Sequence, residues 1–204
     1  MNDFKRTRDR LITQARKLFA SNGFSGVGVR EITRAAQANL GAVTYHFGSK
    51  QALYDAVLVS VGDDLAGRFE AAAATAGTTA ERLTALVAGL FAFFREAPEA
   101  PLLILREITT AGVPPATIVP LIRRNLQAVD RVLSDGRARG EVGAVEPMMV
   151  AFTIISQSVW FALVGRFLPG LGAIPPGDAT FAARVEAHVA EVVRRSILPE
   201  AGTT

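Results

Sequence analysis

Between positions 41 and 50 the chain sets two residues without bulk, Gly41 and Ala42, beside three that can donate hydrogen bonds, Thr44, Tyr45 and His46, and a cation, Lys50. Small residues let a backbone approach base edges closely, threonine offers a hydroxyl and a methyl group, and tyrosine, histidine and lysine donate to phosphate oxygens. Arg30 adds a second cation upstream. This is chemistry for holding a polyanion rather than for breaking a covalent bond.

The elements that must position these groups are legible in the spacing. Residues 29–36 place Val29, Ile32, Ala35 and Ala36 on one helical face and leave Arg30, Glu31 and Arg34 polar. Gln37, Ala38 and Asn39 break the apolar run, and Asn39 is suited to cap a second helix. That helix is expected from about Leu40 to Phe47, ended by Gly48. With Leu40, Val43 and Phe47 turned inward, Gly41, Ala42, Thr44 and Tyr45 face outward. Two short helices joined by a tight turn form the unit that lays its second helix in the major groove of DNA while the first crosses the backbone. An ordinary helical hairpin with a surface tyrosine and histidine satisfies the same spacing.

The run Thr-Tyr-His-Phe-Gly-Ser-Lys at 44–50, followed by Ala52, Leu53 and Tyr54, resembles the hallmark of the tetracycline-repressor (TetR) family of bacterial regulators. Upstream, Ala15-Arg16-Lys17-Leu18-Phe19, then Gly23-Phe24, then Val29-Arg30-Glu31-Ile32 are similar to the same family in order and spacing, over roughly the first 60 residues. Many members have Tyr at the place of Thr44, a Ser or Thr cap at the place of Gly28 and Gly-Val at the place of Gln37-Ala38. The resemblance implies a homodimeric repressor. Its N-terminal head, 1–50, would bind operator DNA through Arg30, Gly41, Ala42, Thr44, Tyr45, His46 and Lys50. Its remainder, 51–204, would bind a small-molecule effector and dimerise.

Composition supports a folded, non-enzymatic reading. Half of the 204 residues are apolar, which sets the chain apart from disordered sequences. It has no cysteine, so disulfides, thiolate metal sites and cysteine nucleophiles are excluded, and with only His46 and His188, far apart in sequence, a histidine-based metal or catalytic cluster is not expected. No cofactor is expected. Net charge is only +3, but residues 1–50 hold nine Lys or Arg against three acids, while the rest holds 13 against 16. A basic head on a mildly acidic body is the footprint of a protein that meets phosphate with one end. The charged N-terminus leads into no uncut apolar stretch, so a cytoplasmic protein is expected.

Along the chain, 1–7 reads as an arm whose Lys5, Arg6 and Arg8 either reach a neighbouring groove or are simply solvated. Leu11, Ile12, Ala15, Leu18 and Phe19 follow as an amphipathic helix closed by Gly23. Gly23, Gly26 and Gly28 are spaced wrongly for a nucleotide loop and read as a connector. Ser49 is a plausible cap for a long helix to about Ala74, the natural lever between head and body. Thr79 is expected to cap the next helix, to about Glu96. Pro98 and Pro101 punctuate before a helix ending near Gly112, and Pro114-Pro115 open one ending near Gly140. No strand alternation appears, so the fold class is all-α, with about nine helices.

The uncharged run 148–165 meets the usual minimum for a membrane span. Ser156, Gln157 and Ser158 at its centre, and Arg166 without a basic cluster, favour burial in protein instead, against its own domain and a second subunit. With 181–198 it resembles the helix pair that forms the family's four-helix dimer interface, carried here by Val159, Leu163, Val185, Val189 and Val193. Phe91, Phe94, Leu103, Met149, Phe152 and Trp160, with Arg106 as a polar end, are the candidates for lining an effector pocket. Each could equally fill the core or the interface, and the loop 169–177 could cover the pocket or merely connect. The alternative function is a helix-turn-helix regulator controlled by a protein partner, or an activator, without a small-molecule ligand.

Overall fold

The computed structural model describes residues 2–110, 112–165, 167–172 and 179–198. Those residues form nine α-helices and one 3-10 turn and contain no strand. The helices are α1 (Asn2–Asn22), α2 (Val29–Ala35), α3 (Ala42–Phe47), α4 (Lys50–Ala73), α5 (Thr79–Glu96), α6 (Ala100–Thr110), α7 (Val119–Ala138), α8 (Pro147–Val164) and α9 (Ala179–Ser196). The all-α expectation holds. Much of the loop expected at 169–177, from residue 173 onward, lies outside the described residues.

The chain divides into two compact units. One comprises the residues up to Asp63 together with Glu99–Pro120; the other comprises Asp64–Pro98 and the chain from Leu121 onward. The first unit therefore reaches past the boundary expected at residue 50. It takes in half of α4 and all of α6.

In the first unit, α1 buries Leu11, Ala15 and Phe19, one residue per turn on a single face. Against this face pack α2, through Ile32 and Ala36, and α6, through Leu103. Two charged residues of α6 and its entrance fix that docking. Glu99 accepts from Arg16 Nε at 2.5 Å, and Arg106 donates through Nε to the Ala20 carbonyl at 2.8 Å and through Nη2 to that of Ser21 at 3.0 Å. The last carbonyls of a helix have no partner within it, so Arg106 closes the end of α1. Tyr54 of α4 packs edge-on against Phe19 and Phe24 and donates to the carboxylate of Glu107. Burial and that hydrogen bond push its hydroxyl well above the ordinary phenol range.

In the second unit, α5, α8 and α9 pack on one another. Their shared interior holds Leu86, Leu90, Val150, Ile154, Val185, Val189 and Val193. The cap of α5 is Thr78 rather than the expected Thr79. Its hydroxyl accepts from Glu81 N at 3.2 Å while its own N–H donates to Glu81 Oε2 at 2.8 Å, a reciprocal capping box. Thr79 instead gives its N–H and hydroxyl to Glu141 Oε2, at 2.7 and 2.6 Å. Helix α7 comes so close here that a Cβ on Gly136 would lie 2.1 Å from Thr79 Oγ1. Only glycine fits that crossing. Buried Arg82 ties three helices: it donates to the carbonyl of Ala73, closing α4, and to Asp135 Oδ2 of α7 at 2.8 Å. Helix α7 begins at Val119, not at Pro114-Pro115, so the prolines precede the helix by five and four positions instead of opening it.

Candidate nucleic-acid interface

Helix α2 ends in a reversal that the sequence did not fully reveal. The N–H of Gln37 donates to the Arg34 carbonyl at 3.1 Å and that of Ala38 to the Thr33 carbonyl at 2.9 Å, the paired bonds of a Schellman motif. The motif needs a left-handed residue, and Gln37 takes that conformation, with φ 51°, without being glycine. Arg10 of α1 then donates to the Ala36 carbonyl at 3.2 Å, satisfying a further acceptor at the same end.

Helix α3 starts later than expected. Gly41, not Asn39, stands at its N-cap, no side chain caps it, and Asn39 contributes only a carbonyl that accepts from Ala42 N at 2.9 Å. Leu40 consequently lies before the helix and is exposed, where a core position was expected. Val43 is the one fully buried side chain of α3, and Phe47 is half-buried. On α2 the buried set is Ile32 and Thr33 with Ala36, because Thr33 rather than Ala35 turns inward. Gly48 ends α3 with φ 82°, a conformation costly for residues with a Cβ, and Ser49 Oγ caps α4 by accepting from Ala52 N at 3.0 Å.

The expected contact residues fall on one short helix and its flanks. Gly41 and Thr44 are exposed, Ala42 is half-buried, and Tyr45 is 75% exposed. Arg30 on α2 is exposed as well. His46 is half-buried, and its Nδ1 is fully covered with no hydrogen-bond partner among the described residues. Lys50 lies over the ring of Phe24, its Nζ 4.3 Å from the centroid, so its charge is anchored at the base of α4. The resulting surface offers hydroxyls, a small-residue approach and flanking cations, the requirements for base-edge and phosphate contact.

Sequence reasoning missed the part α1 plays. Residues 1–7 were expected to form an arm, yet α1 runs from Asn2 and brings Phe4 against His46 and Tyr45, with ring centroids 4.4 and 5.7 Å apart. One turn later Arg8 stands over Phe47 at 5.2 Å. The signal was present: Phe4 and Arg8 extend the stripe of Leu11 and Ala15 backward at helical spacing.

The remaining expected sites are redistributed. Val159, Val185, Val189 and Val193, expected at a subunit interface, are buried within their own unit, because α9 turns its valines onto α5 and α8. Leu163 is half-buried. Conversely Met149, Phe152 and Trp160, expected to line a pocket, are 51%, 53% and 62% exposed on the opposite side of α8. Phe91 and Phe94 are buried in the second unit, whereas Leu103 and Arg106 belong to the first, packed on α1. Arg106 donates to the carbonyls of Ala20 and Ser21 at the end of α1. Between α5 and α9 lies an open groove of about 200 Å³ lined by Thr84, Ala183, Glu186, Ala187 and Ala190, with none of the expected aromatic lining.

Helices α2 and α3, with the turn between them, make the N-terminal part of the chain a helix-turn-helix. Residues 11–57 match the family described as bacterial regulatory proteins, tetR family. Over 105 residues the chain is 30% identical to the probable HTH-type transcriptional regulator YttP of Bacillus subtilis, covering 50% of this chain and 51% of that protein. Over 84 residues it is 34% identical to the HTH-type transcriptional repressor KstR2 of Mycolicibacterium smegmatis, covering 41% of each. The chain thus spans about half the length, or less, of these curated relatives. Over 93% of its length, and 98% of the other chain, it shares a fold with the transcriptional regulator FadR from Bacillus subtilis, solved in complex with stearoyl-CoA, at a TM-score of 0.74 and 16% identity. The resemblance to the tetR family thus rests on residues 11–57, the segment that contains α2 and α3.

Proposed function

We propose that the chain is a homodimeric transcriptional repressor, acting in the cytoplasm, that reads a palindromic operator through α3 and leaves it when a small apolar or amphipathic effector binds. The observation that carries the DNA reading is the exposed Gly41, Thr44 and Tyr45, with half-buried Ala42 beside them, on a helix-turn-helix that matches the tetR family, within a segment holding nine bases against three acids. Arg30, His46 and Lys50 complete the contact set, with His46 and Lys50 seated by aromatic packing.

Dimerisation is assigned to the exposed face of α8. Met149, Phe152, Trp160 and the half-buried Leu163 recur at helical spacing on a helix apolar enough to cross a membrane by length and composition. Its buried face, with Val150, Ala151, Ile154 and Val159, is already packed against protein. A second copy covers the remaining face symmetrically, since a twofold axis brings the same stripe from each chain together. It also supplies the second reading head that a palindrome requires, about 34 Å from the first. Ser156, exposed at the middle of that face, fits a protein neighbour better than lipid.

For the effector, the relevant precedent is that FadR, with the same fold, holds stearoyl-CoA. In this chain Phe91 and Phe94, with the buried oxygens of Asn125 and Ser158 that have no hydrogen-bond partner among the described residues, give the second unit both apolar and polar groups for a ligand. An effector lowers DNA affinity only as far as it prefers a state unsuited to the operator.

Fluorescence anisotropy on a duplex selected by the wild-type protein tests the proposal. Tyr45→Ala weakens binding while leaving the dimer intact, and wild-type affinity falls steeply between two salt concentrations. Unchanged binding by Tyr45→Ala places the reading surface elsewhere.

A further inference from the structure

We propose that Phe4 is a positioning residue for the DNA-reading helix, setting sequence discrimination without contributing to phosphate affinity; this rests on the DNA-binding reading above. The need for such a residue follows from α3 itself. It has six residues and buries only Val43 completely. Helices this short are not stable alone, and one buried side chain leaves rotation about the helix axis poorly restrained. No side chain caps its N-terminus, and Gly41 and Gly48 flank it.

Restraint comes from α1. Phe4 and Arg8 occupy the same face one turn apart, and they meet three successive aromatic residues of α3. Phe4 lies 4.4 Å from His46 at a 53° tilt and 5.7 Å from Tyr45 in an edge-on arrangement, and Arg8 stands over Phe47 at 5.2 Å. Tyr45 in turn meets His46 edge-on at 5.1 Å. The imidazole is held by these rings rather than by hydrogen bonding, since its covered Nδ1 has no partner among the described residues. Phe4 therefore fixes His46, and His46 with Phe4 fixes the direction in which the exposed Tyr45 projects. Edge-to-face geometry restricts angle as well as distance, which a merely apolar contact does not. Phe4 carries no charge, so removing it leaves the electrostatic contribution to DNA binding in place.

The test compares full-length wild type, Phe4→Ala and Phe4→Tyr. Each is titrated against the duplex the wild type selects from a random pool and against random duplex. Phe4→Ala is expected to lower the ratio of selected to random affinity about tenfold, the scale of losing such ring contacts, with random-duplex affinity and salt slope unchanged. Phe4→Tyr is expected to restore the ratio. Equal loss on both duplexes overturns the proposal by making Phe4 a nonspecific contact, and an unchanged ratio overturns it outright. A wild-type protein that selects no sequence overturns the DNA-binding reading and this role with it. A second measurement needs no DNA: the chain has only two histidines, so the ring protons of His46 are readily assigned by NMR. Phe4→Ala is expected to move them away from their ring-current-shifted positions while those of His188 stay. Unmoved His46 protons in a folded variant contradict the contact.

Discussion

Val159 and Trp160 are neighbours on α8 and stand in opposite environments, Val159 at 6% exposure and Trp160 at 62%. One faces the interior shared with α5 and α9, the other faces away from it. The two sides of α8 therefore stand in different surroundings, and substitutions at adjacent positions probe them separately.

Trp160→Glu is expected to shift the chain toward monomer, because truncating or charging a central aromatic anchor costs about 2 kcal/mol or more of association. Val159→Ala is expected to leave the dimer constant alone and lower folding stability by about 2 kcal/mol, through lost burial and the cavity left behind. Sedimentation equilibrium with parallel denaturant unfolding reads both effects. A dimer that tolerates Trp160→Glu places the subunit contact on another face.

Gln37 holds a left-handed conformation, φ 51°, at the turn between α2 and α3. A side chain with a Cβ pays about 1 kcal/mol or more there relative to glycine. Gln37→Gly is expected to raise the thermal midpoint by about 2 °C or more at matched protein concentration. A lowered midpoint would show that the glutamine side chain makes a contact that outweighs the backbone strain.

Glu141 accepts from Arg139 and from the hydroxyl and N–H of Thr79, and these bonds hold its carboxyl at a pKa of about 2, against an ordinary value of 4.5. Between those values the unfolded chain takes up a proton that the folded chain refuses. Its contribution is therefore present above about pH 4.5 and is lost as pH falls toward 2. Glu141→Gln is expected to be less stable than wild type at neutral pH, with the gap closing on acidification. Denaturant unfolding at a series of pH values checks this, and a gap independent of pH contradicts the linkage.

The head was legible because its determinants are local. A helix end at Gly48, a cap at Ser49 and the outward pair Thr44 and Tyr45 follow from spacing and residue type within a few positions. The body was legible only as helices. Which face of a helix is buried depends on where its partners lie, and α8 is apolar nearly all round, so periodicity does not distinguish the side of Val159 from that of Trp160. For α9 the valine stripe marked an apolar face correctly but not whether its own chain or a second copy covers it. Arg106 read as a polar group among Leu102–Leu105 in sequence, and nothing local showed that α6 packs on α1. Thr78 and Thr79 are identical residues in tandem. Only the reach of Glu81 and Glu141 assigns one to capping and the other to α7's exit.

The central claim, that two copies of this chain read DNA through α3, is met most directly by selecting bound sequences from random duplex DNA. The result expected is an enriched palindrome with half-sites about one helical turn apart, bound by two chains per duplex. A selected sequence without twofold symmetry, or no enrichment at all, would contradict it.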